Sequence, residues 1–285
     1  MTGLCYAGCP HILRFYENLI ENQQEYRIII LKISLITNHF IKGGFAMREQ
    51  ATQALIELDN RFLKDIETDV PCLLENKFSN PYFISIPESW FTTNSPRILI
   101  VGEEGFGTYG CGKQGEPHKI IDYHDIERIQ DLNYTFLRKQ LGKEVGDINT
   151  SPFWRRFREI AKYGECAWSN IDKIHLLRNW NCRLSNKDRK LLHSINTKIL
   201  HEEISILNPT HVVFFGWYGV SLQHELPSLF EKMYPNGLGD NSVWNKDVVA
   251  FEEDSRHYIF AYHPNWGYRN RGYEDKVISV LKEHL

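Results

Sequence analysis

The sequence predicts an α/β fold, a three-layer α/β/α arrangement around a central four-stranded parallel sheet. Two observations carry that prediction. Four short apolar segments bounded by turn residues read as buried parallel strands: RILIV (97–101), CAWSNI (166–171), HVVFFG (211–216) and HYIFAYHP (257–264). Between them run segments with helical periodicity, and strands that alternate with helices form a parallel sheet covered on both faces. The 285 residues, 42% hydrophobic and 24% charged, suffice for one large domain.

Taken in order, residues 1–46 show no clean amphipathic period and form an N-terminal extension, open to two readings, an extra helical arm or an upstream start. Met47 opens MREQATQALIELDNRFLKDIE, with Leu55, Leu58, Phe62 and Ile66 at helical spacing, the start of a helical lead-in over 47–94. Residues 47–285 are then read as a single domain. SPFWRRFREIAKYG has Ser151 as N-cap, Pro152 at the first helical position, and Phe153, Phe157 and Ile160 on one face. A further helix, KDRKLLHSINTKILHEEISILNP, ends at Asn208 and Pro209.

Bulk properties narrow the function classes. A net charge of -3 and a pI near 6.5 make any polyanion-binding surface a local patch. The longest apolar run, IIILKISLI at 28–36, is broken by Lys32 and falls well short of the roughly 20 residues of a membrane span. The first residues lack a basic head followed by an apolar core, so no signal peptide and no membrane partner are expected. Six cysteines without a C-x-x-C pair read as free thiols of a reducing, cytoplasmic compartment. Cys5 and Cys9 have no second pair to complete a metal site, and no metal is expected.

Each strand delivers polar residues or glycine at its carboxyl end, where ligands sit in such sheets. These are Gly102, Glu103 and Glu104; Ser169, Asn170 and Asp172; Gly216; and His263. The first strand runs into ILIVGEEGFGTYGCG, which contains a literal G-x-G-x-x-G at Gly105, Gly107 and Gly110. A dinucleotide site needs a helix directly after those glycines and an acid at the end of the next strand. CGKQGEPHKIIDY supplies no such helix, so no dinucleotide cofactor is expected at the turn from Gly102 to Gly105.

The order of motifs resembles the uracil-DNA glycosylase superfamily over about residues 95–285. VGEEG (101–105) is similar to its first motif, SPFWRRF (151–157) to its serine-led helix, and AWSNIDKI (167–174) to its strand ending in asparagine. LNPTHVVFFGWYG (207–219) resembles its proline-led strand into glycine, and FAYHPNW (260–266) its strand ending in His-Pro. Two features depart from the pattern: Gly105 stands where the family carries proline, and the loop leading to Ser151 is long.

The resemblance implies hydrolysis of the N-glycosidic bond of uracil or another deaminated base in single- or double-stranded DNA, by a monomer without a cofactor. Glu104, or Glu103 if the register slips by one, would position the attacking water and oppose the sugar cation. Asn170 offers both a donor and an acceptor to a base edge. His263 would donate to the carbonyl oxygen on which leaving-group charge collects. Gly102, Phe106, Tyr109 and Phe153 would line the base pocket. The loop after His263, with Trp266, Tyr268, Arg269 and Arg271, would meet the minor groove and phosphates. Residues 151–200 hold eleven basic against four acidic residues, which fits a phosphate footprint. The alternative is a nucleic-acid or nucleotide binding protein of the same fold without catalysis.

Overall fold

The computed structural model describes residues 43–71, 81–104, 122–174, 185–216, 231, 248–264 and 273–285. The chain divides into two compact units, Met1–Met47 and Arg48–Leu285. Of the first, residues 43–47 are described and are helical.

The second unit is built on a five-stranded mixed sheet: β1 Arg97–Glu104, β2 Glu165–Asp172, β3 His211–Phe215, β4 Val248–Glu253 and β5 Arg256–Ala261, in the order β2-β1-β3-β5-β4. The four strands read from the sequence are mutually parallel; β4 pairs antiparallel with β5 at one edge. The expected four-stranded parallel sheet is therefore corrected to a five-stranded, mostly parallel one. β4 escapes sequence reading because VVAFEE is only half-buried and its turn lacks a hairpin signature. Asp254 and Ser255 adopt φ of 51° and 60°, a conformation in which a two-residue hairpin turn ordinarily carries glycine.

Among the described residues, five helices accompany the sheet: α1 over 48–69, α2 Ile126–Gln140, α3 Pro152–Ile160, α4 Asn186–Leu207 and α5 Tyr273–Glu283. Alternation along the strands divides the core in two. Leu99, Val101, Val212, Phe214 and Phe260 face α1 and α4 through Leu55, Leu58, Phe62, Ile66, Ile204 and Leu207. Ile98, Ile100, Trp168, Val213, Phe215 and Ile259 face α3 and α5 through Trp154, Phe157, Ile160, Val277 and Leu281. The helix boundaries follow their caps. Ser151 accepts from Trp154 N, Ser185 accepts from Asp188 N, and Asn208 closes α4 in the left-handed conformation at φ 44°.

α2 lies in what the sequence presents as a long loop. Its buried face has helical spacing but is half amide: Ile126, Ile129, Gln130, Asn133, Leu137 and Gln140. The amides are satisfied from elsewhere. Gln130 Nε2 donates to Asp59 Oδ2 at 2.8 Å, Asn133 Nδ2 to the Phe83 carbonyl at 3.0 Å, and Gln140 takes the Asn149 amide at 2.7 Å. The helical lead-in is also shorter than expected, since the described residues from 81 to 96 form no helix; two prolines, Pro81 and Pro87, stand in this stretch.

Behind β2, on the α1/α4 side, sits a fully buried polar cluster. Lys173 Nζ donates to Glu203 Oε2 at 2.6 Å and to Ser169 Oγ at 2.5 Å, and Ser169 Oγ donates to Glu203 Oε2 at 2.7 Å. Asp59, 0% exposed, is held well above the ordinary carboxyl value of 3.8 by burial and by the Glu203 charge. Its unfolded carboxyl loses a proton above 3.8 that the folded one retains. The stability carried by that proton is thus full below 3.8 and is lost as pH rises, at about 1.4 kcal/mol per unit until the folded group titrates. Asp59→Asn keeps an acceptor for Gln130 and does not titrate. Its stability relative to wild type is expected to improve as pH rises above 3.8 in urea unfolding; a difference independent of pH would contradict the raised Asp59 carboxyl.

Candidate base-binding site at the carboxyl edge of the sheet

β1 is extended through Glu104, so the turn expected at Gly102 begins later. Gly102 lies in register with Asn170, and Glu104 with Asp172. A glycine is required at 102 by proximity. A Cβ there would stand 2.6 Å from Asn170 Oδ1 and 3.4 Å from Phe153 Cε2. The chain therefore brings three predicted residues, Gly102, Phe153 and Asn170, into contact.

Phe153 is held by the start of α3, whose Ser151 cap and Pro152 fix the entry of the chain. Its ring lies 6.0 Å from Phe215 edge-on and 6.2 Å from His263, nearly parallel at 13°. His263 follows β5 by two residues, and Ala261 is in register with Phe215. Gly216 follows β3 directly at φ 143°, its amide donating to the Ala261 carbonyl. Gly102, Phe153, Asn170 and His263 consequently share the carboxyl edge of β1, β2 and β5, beside the point where strand order reverses between β1 and β3.

Asn170 is the most unusual of the four. It is 1% exposed, its Oδ1 accepts from the Trp168 indole Nε1 at 3.0 Å, and its Nδ2 is buried with no acceptor among the described residues. A buried unpaired amide donor costs about 1–3 kcal/mol, and such groups in native folds call for an explanation. Ser169, its neighbour, is not part of this site. Alternation turns it to the opposite face, where it bonds Glu203. Lys173 likewise leaves the basic footprint, being 0% exposed and paired with Glu203.

Only the backbone of Glu103 and Glu104 is described, and Phe106, Tyr109, Trp266, Tyr268, Arg269 and Arg271 lie outside the described residues, as does the whole of the G-x-G-x-x-G. Among the described residues, no group of three histidines, cysteines or acids is placed to hold a metal, and no helix is long and apolar enough to cross a membrane.

Two features were missed from the sequence. Trp168 is the hydrogen-bond partner of Asn170, and its signal is a donor-only aromatic two positions earlier on the same strand face. The second is an open groove of about 540 Å³ between α3 and α5, lined by Arg155, Arg156, Arg158 and Lys282, with Glu159 as the only acid among the described residues. Arg158 has its guanidinium pulled below the ordinary arginine range, by burial first and then by Arg155, with Glu159 opposing. No protein-family model matches the chain, and no curated protein matches it.

Proposed function

We propose that the protein is a DNA base glycosylase with a uracil-DNA glycosylase-like fold, hydrolysing the N-glycosidic bond of uracil or another deaminated base. The observation that carries the reading is the buried, unpartnered Nδ2 of Asn170, set against Gly102 and Phe153 at the carboxyl edge of a mostly parallel sheet. A flipped base supplies what that edge lacks, an acceptor for the amide and a flat face for the Phe153 ring. In this reading Glu104 orients a water toward C1′ of the sugar and takes its proton. The water oxygen bonds to C1′ as the glycosidic bond breaks, and its electron pair leaves with the base. His263, stacked on Phe153, donates to the base oxygen where that charge collects. The basic groove between α3 and α5 meets phosphate, and the loop from 265 to 273 meets the minor groove.

Base release from uracil- and hypoxanthine-containing oligonucleotides tests the roles. Glu104→Gln is expected to slow release by about 10²–10⁴-fold, the range of a positioned general base, and Glu103→Gln by far less. Full activity in both variants would remove the carboxylates from the mechanism.

A further inference from the structure

We propose that the basic groove between α3 and α5 is a track for the backbone of a single-stranded DNA flank, which makes single strands the form of DNA that this protein holds. The inference rests on the base-site reading for the position of the target nucleotide, and on the groove itself for everything beyond it. Phe153, in the first turn of α3, stands against Gly102 and His263 at the carboxyl edge of the sheet. From there α3 runs to the amino edge: beyond its end, the Glu165 amide donates to the Pro96 carbonyl, just ahead of β1. α5 ends at the same edge, where the His284 carbonyl accepts from His211 Nε2 at 2.8 Å at the start of β3. The groove between the two helices therefore leads from the base site down the side of the sheet, not across its rim.

Its chemistry suits phosphate and reads no base. Arg155 and Arg158 lie about one turn apart on α3, about 4.5 Å along its axis, with Arg156 between them in sequence. Arg158 is braced by a 3.0 Å bond from its Nη1 to the Asn149 carbonyl. Lys282 lines the groove from α5, its ammonium 5.2 Å from the centre of the Tyr163 ring, and Ser279 adds a hydroxyl one turn before it. Glu159 is engaged by Lys162 at 2.7 Å, which leaves the groove cations in excess. No aromatic face or amide lines the groove among the described residues, so nothing there distinguishes one base from another. Shape then decides the form of the partner. α3 and α5 touch, and helices in contact lie about 8–10 Å apart, so a groove of about 540 Å³ between them takes one sugar-phosphate strand and not two. A duplex is stiff over about 150 base pairs and cannot turn from the rim down the side of the protein; a single strand can.

The test is fluorescence anisotropy of two undamaged oligonucleotides, a single strand and a blunt duplex of the same sequence, titrated with the full-length protein over a range of salt. Lacking a target base, they report the groove and not base excision. The single strand is expected to bind at least about tenfold more tightly than the duplex, with log Kd rising by about 0.7 per log unit of salt for each phosphate contact. Arg155 and Lys282 are both exposed, and Arg155→Gln with Lys282→Gln is expected to lower that slope by about 1.4 while duplex affinity stays within about twofold. Arg155→Gln alone, with about half that change, serves where circular dichroism shows the double variant unfolded. Equal affinity for the two forms, or an unchanged slope in a folded variant, would overturn the inference. Tripolyphosphate bound through Arg155 and Lys282 without any binding of the single strand would also overturn it, making the groove a site for a free anion. Base release from DNA with an unchanged slope in the variant would overturn it alone. Single-strand binding that depends on the groove cations, without base release from any oligonucleotide, would uphold it and overturn only the glycosylase reading.

Discussion

Lys173→Met is expected to lower the free energy of unfolding by about 3–5 kcal/mol, the cost of leaving a buried charge without its partner. Lys173 and Glu203 are both 0% exposed, and the ammonium makes two short bonds, to Glu203 and to Ser169. Burial pulls the ammonium below the ordinary lysine range while the Glu203 charge pushes back. Methionine fills similar volume but removes the counter-charge, and the Glu203 carboxyl is left between a serine and the already crowded Asp59. Urea unfolding at pH 7 measures the loss directly. Lys173→Met with Glu203→Gln should recover most of it, because no unpaired charge then remains. A single-variant loss below about 1 kcal/mol would mean that the pair is solvated and behaves like a surface bridge.

Asn170→Ala is expected to reduce base release by about 10²–10³-fold, the loss seen when one donor to developing charge is removed, while stability changes by no more than about 1 kcal/mol. The two effects separate because the residue is poorly satisfied in the free protein. Alanine removes the unpaired Nδ2, which favours folding, and orphans the Trp168 indole, which opposes it. A large stability loss with the residual folded protein fully active would assign Asn170 to the core. Because Asn170 sits in register with Gly102, the same assay on Gly102→Ala should show a comparable defect, its Cβ displacing Asn170 Oδ1 from 2.6 Å.

The parallel strands were legible because each is an apolar run buried on both faces, as in HVVFF with all five residues buried. β4 was not, because an edge strand needs only one buried face and its turn uses Asp254 and Ser255 in place of glycine. α2 was hidden by chemistry: Gln130, Asn133 and Gln140 occupy the positions of its apolar stripe, and their partners are distant in sequence. At the site, the rule that parallel sheets bind ligands at their carboxyl ends pointed to Gly102, Asn170 and His263, and the cap at Ser151 placed Phe153 beside them. The same rule gathered Ser169 wrongly, because adjacent strand residues face opposite ways. Lys173 was counted as surface charge because a count of basic residues carries no depth, and Trp168 passed as core because an aromatic in a strand gives no sign that its N–H is in use.

The most direct measurement of the central claim is chromatographic detection of free base released by the purified full-length protein. The substrates are single- and double-stranded oligonucleotides carrying one uracil, hypoxanthine or xanthine. At least one of these bases is expected to be released, matched mole for mole by alkali-labile abasic ends and lost in Glu104→Gln. Folded protein that releases no base from any of the six substrates would contradict it.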